Sequence, residues 1–120
     1  MTENLREYLT QQLEITCPRV YNMDATDTST FPYLVYDLIG FPEEGKMKYQ
    51  FEIDIWDRQE SSQEVETIAK EIKELFDETV HKDENQLVII YLTGYKTVRE
   101  DDKLIKRRML TFEVSHYERS

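Results

Sequence analysis

The chain has 120 residues, 33% charged and 39% hydrophobic, with a formal net charge of −10 at pH 7. This size and balance predict one globular domain spanning residues 1–120. The acidity argues against wrapping nucleic acid directly, because phosphates are bound by Lys and Arg. With Cys17 as the single cysteine, an internal disulfide is excluded. No apolar stretch approaches the ~20 residues of a membrane span, so we expect no membrane partner.

The N-terminal quarter predicts a short helix and one brief strand. Leu5, Leu9 and Leu13 recur at helical spacing, which predicts a short helix over residues 4–12. Residues 19–23 carry Val20 and Tyr21 and predict an edge strand. The polar, turn-rich residues 24–30 predict a loop, and we expect this loop to become ordered late, on assembly.

Two alternating stretches predict a β-hairpin. In residues 33–40 the apolar side chains fall on alternate positions, and Gly and Pro in residues 40–45 are typical of a connection. The next strand, which begins near Lys48, alternates one apolar face with a mostly polar one. Its apolar face contains Tyr49, Phe51, Ile53 and Ile55.

An amphipathic helix follows this strand, and the two together span residues 48–77. Ser61 with Glu64 three residues later has the spacing of a capping box at a helix start. The helix should end near Thr79. Its apolar stripe must pack on the apolar face of the preceding strand, because both need a partner. The stripe consists of Val65, Ile68, Ala69, Ile72, Leu75 and Phe76.

The C-terminal third predicts a second pair of strands. Residues 87–98 are β-branched and aromatic, which favours a central strand, and Gly94 within them predicts a bulge. Residues 104–117 predict the last strand. The element order is therefore α-β-β-β-α-β-β. The expected fold is α+β: a mixed or mainly antiparallel sheet of about four main strands, with one long and one short helix on one face.

The sequence predicts no catalytic, cofactor-binding or metal site. His81 and His116 are the two histidines, and Cys17 beside a proline suits a small buried apolar residue. Hard cations prefer carboxylate oxygens, which are present on Glu52, Asp54 and Asp57. The sequence pattern instead predicts that these three residues form the polar face and the exit turn of a strand. A metal-dependent nuclease using Asp54 and Asp57 is the enzymatic alternative.

One charged cluster lies at the predicted turn before the last strand. It is either a solvated hairpin tip or a surface where opposite charges meet on a neighbouring copy, as in head-to-tail rings. We take it as the candidate subunit or partner contact. The cluster consists of Arg99, Glu100, Asp101, Asp102, Lys103, Lys106, Arg107 and Arg108.

Three segments together resemble the small tail-completion, or tail-terminator, proteins of long-tailed bacteriophages and prophages. They are FPYLVYDLIG, YQFEIDIWDRQESSQEVETIAKEIKELFD and RRMLTFEVSHYER. The resemblance implies a structural protein rather than an enzyme, with no active-site residues. It implies a ring, typically a hexamer, that caps the finished tail tube, contacts the tail-tube protein and the head connector, and lets DNA pass without specific binding.

The same resemblance implies a place in the virion tail, with assembly in the bacterial cytoplasm. A head–tail connector or adaptor component with a related sheet is the nearest alternative. A further alternative is an acidic inhibitor that mimics nucleic acid and binds a basic host protein. The acidic surface fits a DNA channel, since like charge keeps DNA from adhering to the wall.

Overall fold

Two helices and six strands build the fold in the computed structural model, which describes residues 3–17, 20–22 and 31–118. The predicted loop 24–30 lies outside the described residues. Among the described residues, neither helix is long and apolar enough to cross a membrane. In chain order the elements are α1 (Glu3–Thr16), β1 (Val20–Asn22), β2 (Tyr33–Glu43), β3 (Lys46–Arg58), α2 (Gln63–Phe76), β4 (Thr79–Lys82), β5 (Gln86–Val98) and β6 (Ile105–Glu118).

The strands form one sheet in the order β1-β2-β3-β6-β5-β4. All pairs are antiparallel except β1, which runs parallel to β2. The predicted α+β class and its four main strands, β2, β3, β5 and β6, are confirmed. The centre of the sheet is formed by β3 and β6, whereas β5, which was predicted to be central, lies between β6 and the short edge strand β4.

Both helices pack on one face of the sheet, as predicted, and the core lies between them and the strands. Phe51 of β3, Phe76 of α2 and Phe112 of β6 meet at its centre with ring centroids 5.6–6.0 Å apart. All three rings are fully buried. We call the other side of the sheet, which no helix covers, the open face.

The two helices are equally long, so the prediction of one long and one short helix is wrong. Helix α1 continues to Thr16 because Leu13 extends the buried stripe and its carbonyl accepts the N–H of Cys17 at 3.1 Å. Helix α2 stops at Phe76, before the predicted Thr79, because Asp77 is extended with ψ of 131° and Glu78 adopts a positive φ of 56°, and neither conformation continues a right-handed helix.

The predicted capping box is also wrong. Ser62 is the N-cap of α2 and makes no side-chain cap bond, while Ser61 Oγ accepts the N–H of Gln63 at 3.1 Å. Glu64 accepts a hydrogen bond from the side chain of Gln59 at 3.0 Å instead of reaching back to the cap.

Strand β4 was not predicted. It has four residues and pairs with residues 87–90 of β5 at the sheet edge. Val80 on it is 65% exposed. A short edge strand with an exposed apolar side chain gives no clear alternation, so its sequence resembles a helix end followed by a polar turn.

The predicted bulge at Gly94 is confirmed by a register shift between Leu92 and Gly94. The extra residue reverses which side chains of β5 face the helices. Beyond it, Tyr95 lies on the helix face, and its hydroxyl donates to the carboxylate of Glu66 at 3.1 Å. The bulge therefore determines which charges surround the turn between β5 and β6.

Candidate contact site at the turn between β5 and β6

A cavity of about 550 Å³ lies where the β5–β6 turn meets the start of α2. Glu60 and Ser62 contribute from the segment before the helix. The remaining wall contains most of the predicted contact cluster: Arg99, Glu100, Lys103, Lys106, Arg107 and Arg108. The structure therefore brings these six residues together, while Asp101 and Asp102 lie at the tip outside the cavity wall.

Arg107 points to the open face, where three side chains hold it. Its Nε donates to Asp54 at 3.3 Å, and a second nitrogen bonds Glu100. The guanidinium lies over the ring of Trp56, 3.7 Å from the ring centroid, which is a cation–π contact. Burial acts to lower the pKa of Arg107, but the carboxylates of Asp54 and Glu100 outweigh it and the pKa is raised.

Arg108 points to the opposite face because successive side chains of a strand alternate. It is 8% exposed, and its Nε donates to Glu66 of α2 at 2.5 Å. Tyr95 donates to the same carboxylate, and the pKa of Tyr95 is raised by burial and by this hydrogen bond. Arg108 thus ties β6 to the first turns of α2.

The tip itself is organised by Asp102. Its carboxylate accepts the N–H of Leu104 at 2.9 Å and the Nε of Arg58 at 3.3 Å. Both interactions lower the pKa of Asp102, the backbone N–H most strongly. Lys106 Nζ donates to the carbonyl of Lys103 at 2.6 Å. The bonds from Leu104 and Lys106 are local to the hairpin, whereas the bond from Arg58 joins the tip to the end of β3.

The predicted cluster therefore divides into two groups. Glu100, Asp102, Arg107 and Arg108 form ion pairs within the fold, and Lys106 donates to the carbonyl of Lys103. The side chains of Arg99, Asp101 and Lys103 are exposed and make no ion pair with any other described residue. This second group is the part of the cluster available to a partner. The alternation of side chains along a strand is enough to predict that Arg107 and Arg108 lie on opposite faces of the sheet. It does not predict which of the tip charges form ion pairs.

The carboxylates considered for a metal do not come together. Glu52 and Asp54 lie on the open face, whereas Asp57 lies on the helix face and is 2% exposed. Asp54 is bound to Arg107, and Asp57 accepts the N–H of Arg58 at 2.9 Å. Within the described ranges, no three His, Cys, Asp or Glu side chains are placed to hold a metal ion.

The histidines and the cysteine each have a structural partner. His81 stacks on Tyr8 at 4.1 Å between ring centroids, and its Nε2 lies 2.8 Å from Asp83. His116 is buried, with Nε2 2.9 Å from the side-chain oxygen of Gln86. Cys17 is 2% exposed and belongs to the core, as predicted.

A feature that the sequence did not reveal is a set of exposed apolar side chains along the sheet margins. Ile39 and Phe41 of β2 are 41% and 48% exposed, and Tyr91 and Tyr95 of β5 are 42% and 47% exposed. The alternation of side chains along β2 and β5 predicts which face of the sheet each of them lies on. It does not predict that the neighbouring strands β1 and β4 are short.

The fold and these surfaces define a structural class: an acidic sheet domain whose charged and apolar margins are suited to contact other proteins. Residues 3–117 match the family model described as "Tail completion protein gp17", and the chain belongs to this family. It is therefore a structural, virion-associated phage tail protein, and the family is not one of enzymes. The resemblance predicted from sequence is confirmed.

A solved structure titled "Virion of native gene transfer agent (GTA) particle" contains a chain with the same fold. The TM-score is 0.68, the identity is 16%, and the alignment covers 92% of this chain and 92% of that chain. At this identity the likeness concerns the fold. No curated protein matches the chain.

Proposed function

We propose that this protein closes the finished tail tube as a ring of six copies and joins the tail to the head, with DNA passing through the ring. The observation that carries the proposal is the match to the tail completion family over residues 3–117. The proposed partners are further copies of the chain, the tail-tube protein and a connector protein of the head. The ring belongs to the virion tail and assembles in the bacterial cytoplasm.

The distribution of charge supports passage of DNA without binding. The net charge is −10, and two cations of the open face, Lys48 and Arg107, are paired with neighbouring carboxylates. Lys48 lies 3.3 Å from Glu43 and 3.1 Å from Glu113, and hydrogen bonds to these two groups raise its pKa. Lys and Arg bind phosphates by displacing the counterions condensed on the DNA, and a cation that is already paired with carboxylates binds phosphates weakly.

The tip charges support a contact with a protein rather than with DNA. Arg99, Asp101 and Lys103 present both signs of charge on one exposed turn beside the cavity. Mixed charges at the rim of an interface fix orientation and exclude wrong partners. We assign this turn to subunit or connector contacts within the ring.

The test is removal of the gene from the phage or prophage, followed by electron microscopy of the particles. Loss of the protein should give tails of abnormal length that carry no heads, and the gene supplied in trans should restore both properties. Tails of normal length joined normally to heads would refute the proposal. Tails of normal length without heads would assign the protein to the head–tail connector instead.

A further inference from the structure

The cavity beside the β5–β6 turn is cationic, although the protein as a whole is acidic. Five of its wall residues are Lys or Arg and two are Glu, whereas the chain has a net charge of −10. Its volume of about 550 Å³ falls within the roughly 300–1,000 Å³ of ligand-binding pockets. A local charge opposite in sign to that of the whole molecule indicates an anionic ligand.

The cavity opens on the helix face of the sheet, beyond the start of α2. In the sheet register Lys106 lies opposite Asp57, and Thr97 lies opposite Arg108. Asp57 and Arg108 are on the helix face, so Lys106 and Thr97 share that face. Ser62 contributes from the start of α2. The cavity is therefore separate from the open face of the sheet.

Three of the five cations have no carboxylate partner within the fold. The two arginines of β6 are bound to carboxylates, as described above. Arg99, Lys103 and Lys106 form no ion pair with any other described residue. Lys106 is near enough to Asp102 to contribute to the low pKa of that carboxyl. Because Glu60 is the remaining unpaired carboxylate of the wall, the unpaired groups of the cavity have a net positive charge.

Two side chains of the wall have hydrogen-bond donors that the fold does not use. Lys106 Nζ donates to the carbonyl of Lys103 at 2.6 Å, which leaves two of the three N–H donors of its ammonium group. Ser62 makes no side-chain cap bond, and its hydroxyl bonds no other residue in the described part of the chain. Both groups can donate to a carboxylate in the cavity, and the bond to Lys103 already holds Lys106 in place.

We propose that this cavity binds an acidic segment of a neighbouring tail or head protein, with its carboxylates held by Arg99, Lys103 and Lys106. The inference rests on the proposed function, which places such proteins beside this one. Opposite charges on two docking surfaces orient the partners and raise the rate of association. The site thus gives the contact at the β5–β6 turn a definite chemistry.

Duplex DNA fits this cavity poorly. DNA carries one negative charge per ~1.7 Å of its axis, so a phosphate in the cavity would bring many others close to the protein. They would meet the exposed carboxylates of Asp101 and Asp102 at the tip and of Glu64 in the first turn of α2. A protein segment can instead present one or two carboxylates among uncharged residues.

The acidic stretches of this chain are poorly suited to fill the cavity of another copy. Adjacent carboxylates occur at four places in the sequence, residues 43–44, 77–78, 83–84 and 100–102. At each place one carboxylate is already bonded within its own fold, to a cationic side chain or a backbone N–H. These bonded residues are Glu43, Asp77, Asp83 and Asp102. A protein other than this chain is therefore the expected partner.

Carbodiimide coupling on intact particles tests the contact. The reagent activates a carboxylate, and an amine in contact with that carboxylate displaces the activating group to form an amide. Lys103 or Lys106 should become joined to an acidic segment of a tail-tube or connector protein, which mass spectrometry of the proteolytic fragments identifies. The variant Lys103→Arg/Lys106→Arg keeps the charge but has no amine there. It should lose the link and still give particles that join heads.

Removal of the charge is the second test. Lys103→Gln/Lys106→Gln should lower the yield of head-joined particles roughly tenfold, because two cations no longer bind the acidic segment. The matched control is Lys70→Gln/Lys73→Gln, which changes the net charge equally on the exposed side of α2 and should leave the yield unchanged. Circular dichroism and the thermal midpoint of each purified variant separate misfolding from a lost contact.

Four results would overturn the inference. The first is no link from Lys103 or Lys106 in particles that contain the protein and join heads. The second is a link only to another copy of this chain. The third is an equal loss of yield in the control variant. The fourth is retardation of a short DNA duplex by the purified protein that the Lys103→Gln/Lys106→Gln variant abolishes, which would assign the cavity to DNA.

The outcome of these tests is distinct from that of the proposed function. The first three results leave the tail-completion role intact, because they concern only which molecule occupies the cavity. Normal tails joined normally to heads in the absence of the gene would refute the role itself, and the inference with it.

Discussion

Replacing Phe51 with alanine should lower the free energy of unfolding by about 3–5 kcal/mol, because the change leaves a cavity at the centre of the core. Phe51 is fully buried. Its ring centroid lies 5.6 Å from Phe76, 6.0 Å from Phe112 and 5.7 Å from Tyr36, and the first and last of these contacts are edge-to-face. The helix α2, the central strands and β2 all lose a shared contact.

The matched control is Phe41→Ala. It removes the same side chain from the same hairpin, but Phe41 is 48% exposed on the open face. The control should cost less than about 1 kcal/mol, since exposed substitutions away from special features change stability little. Comparing the two variants therefore separates core packing from the general effect of losing a phenylalanine in a strand.

The assay is urea denaturation followed by far-ultraviolet circular dichroism and by the fluorescence of Trp56, the single tryptophan. At about 4 °C per kcal/mol for a domain of this size, Phe51→Ala should also lower the thermal midpoint by roughly 12–20 °C. A loss below about 1 kcal/mol, or a loss equal to that of Phe41→Ala, would refute the assignment of Phe51 to the centre of the core.

Three further predictions concern the tip, a buried histidine and the β2–β3 turn. Arg107→Ala should lower the free energy of unfolding by about 1–3 kcal/mol, because it leaves partly buried carboxylates without their partner. Arg58→Ala, whose ion pair is about half exposed, should lower it by less than about 0.5 kcal/mol. The midpoints of urea denaturation compare the two variants. Burial lowers the pKa of His116 from 6.5, so protonation favours the unfolded chain, and stability should fall as the pH drops below about 6.5; His116→Gln should flatten this dependence in urea melts between pH 7.5 and 5. Gly45 has φ of 79°, so Gly45→Ala should cost about 1–2 kcal/mol in the same assay, and an unchanged midpoint would contradict the turn geometry.

Alternation was enough to predict most of the sheet. The predicted apolar face of β3 and the predicted stripe of α2 were correct, because in each the burial pattern repeats over several residues. A one-residue shift of a strand would expose its whole apolar set. Gly94 was correct as a bulge for a related reason: a glycine inside a strongly β-forming stretch marks a local irregularity.

The rest could not be predicted because it depends on neighbours that are distant in sequence. Helix α1 continues past its predicted end because Leu13 is buried and its carbonyl accepts the N–H of Cys17, which also lies in the core. Strand β4 forms because its backbone pairs with the edge of β5, which comes later in the chain. At the tip, the sequence shows the charged residues but not which of them form ion pairs. Arg107 pairs with Asp54 and Arg108 pairs with Glu66, and both partners are distant in sequence. These pairs depend on the register of β6 in the sheet.

The two sides of the sheet also account for how a copy can remain separate before assembly. Unpaired edges favour uncontrolled association, and proteins limit it with short edges, Pro and Lys. Here β1 covers three of the 11 residues of β2 and β4 covers four of the 13 residues of β5, while Pro42 and Lys96 lie on the parts that these strands leave uncovered. The uncovered segments are too short to hold two copies together in solution. Pairing of a few strand residues stabilises a contact little compared with the translational and rotational freedom that two copies lose on association. A tail tube that already holds neighbouring copies in position removes much of this entropy loss. Ring formation is therefore expected on the tube rather than in solution. Sedimentation of the purified protein should show mainly single copies at micromolar concentration, and stable free rings would contradict this account.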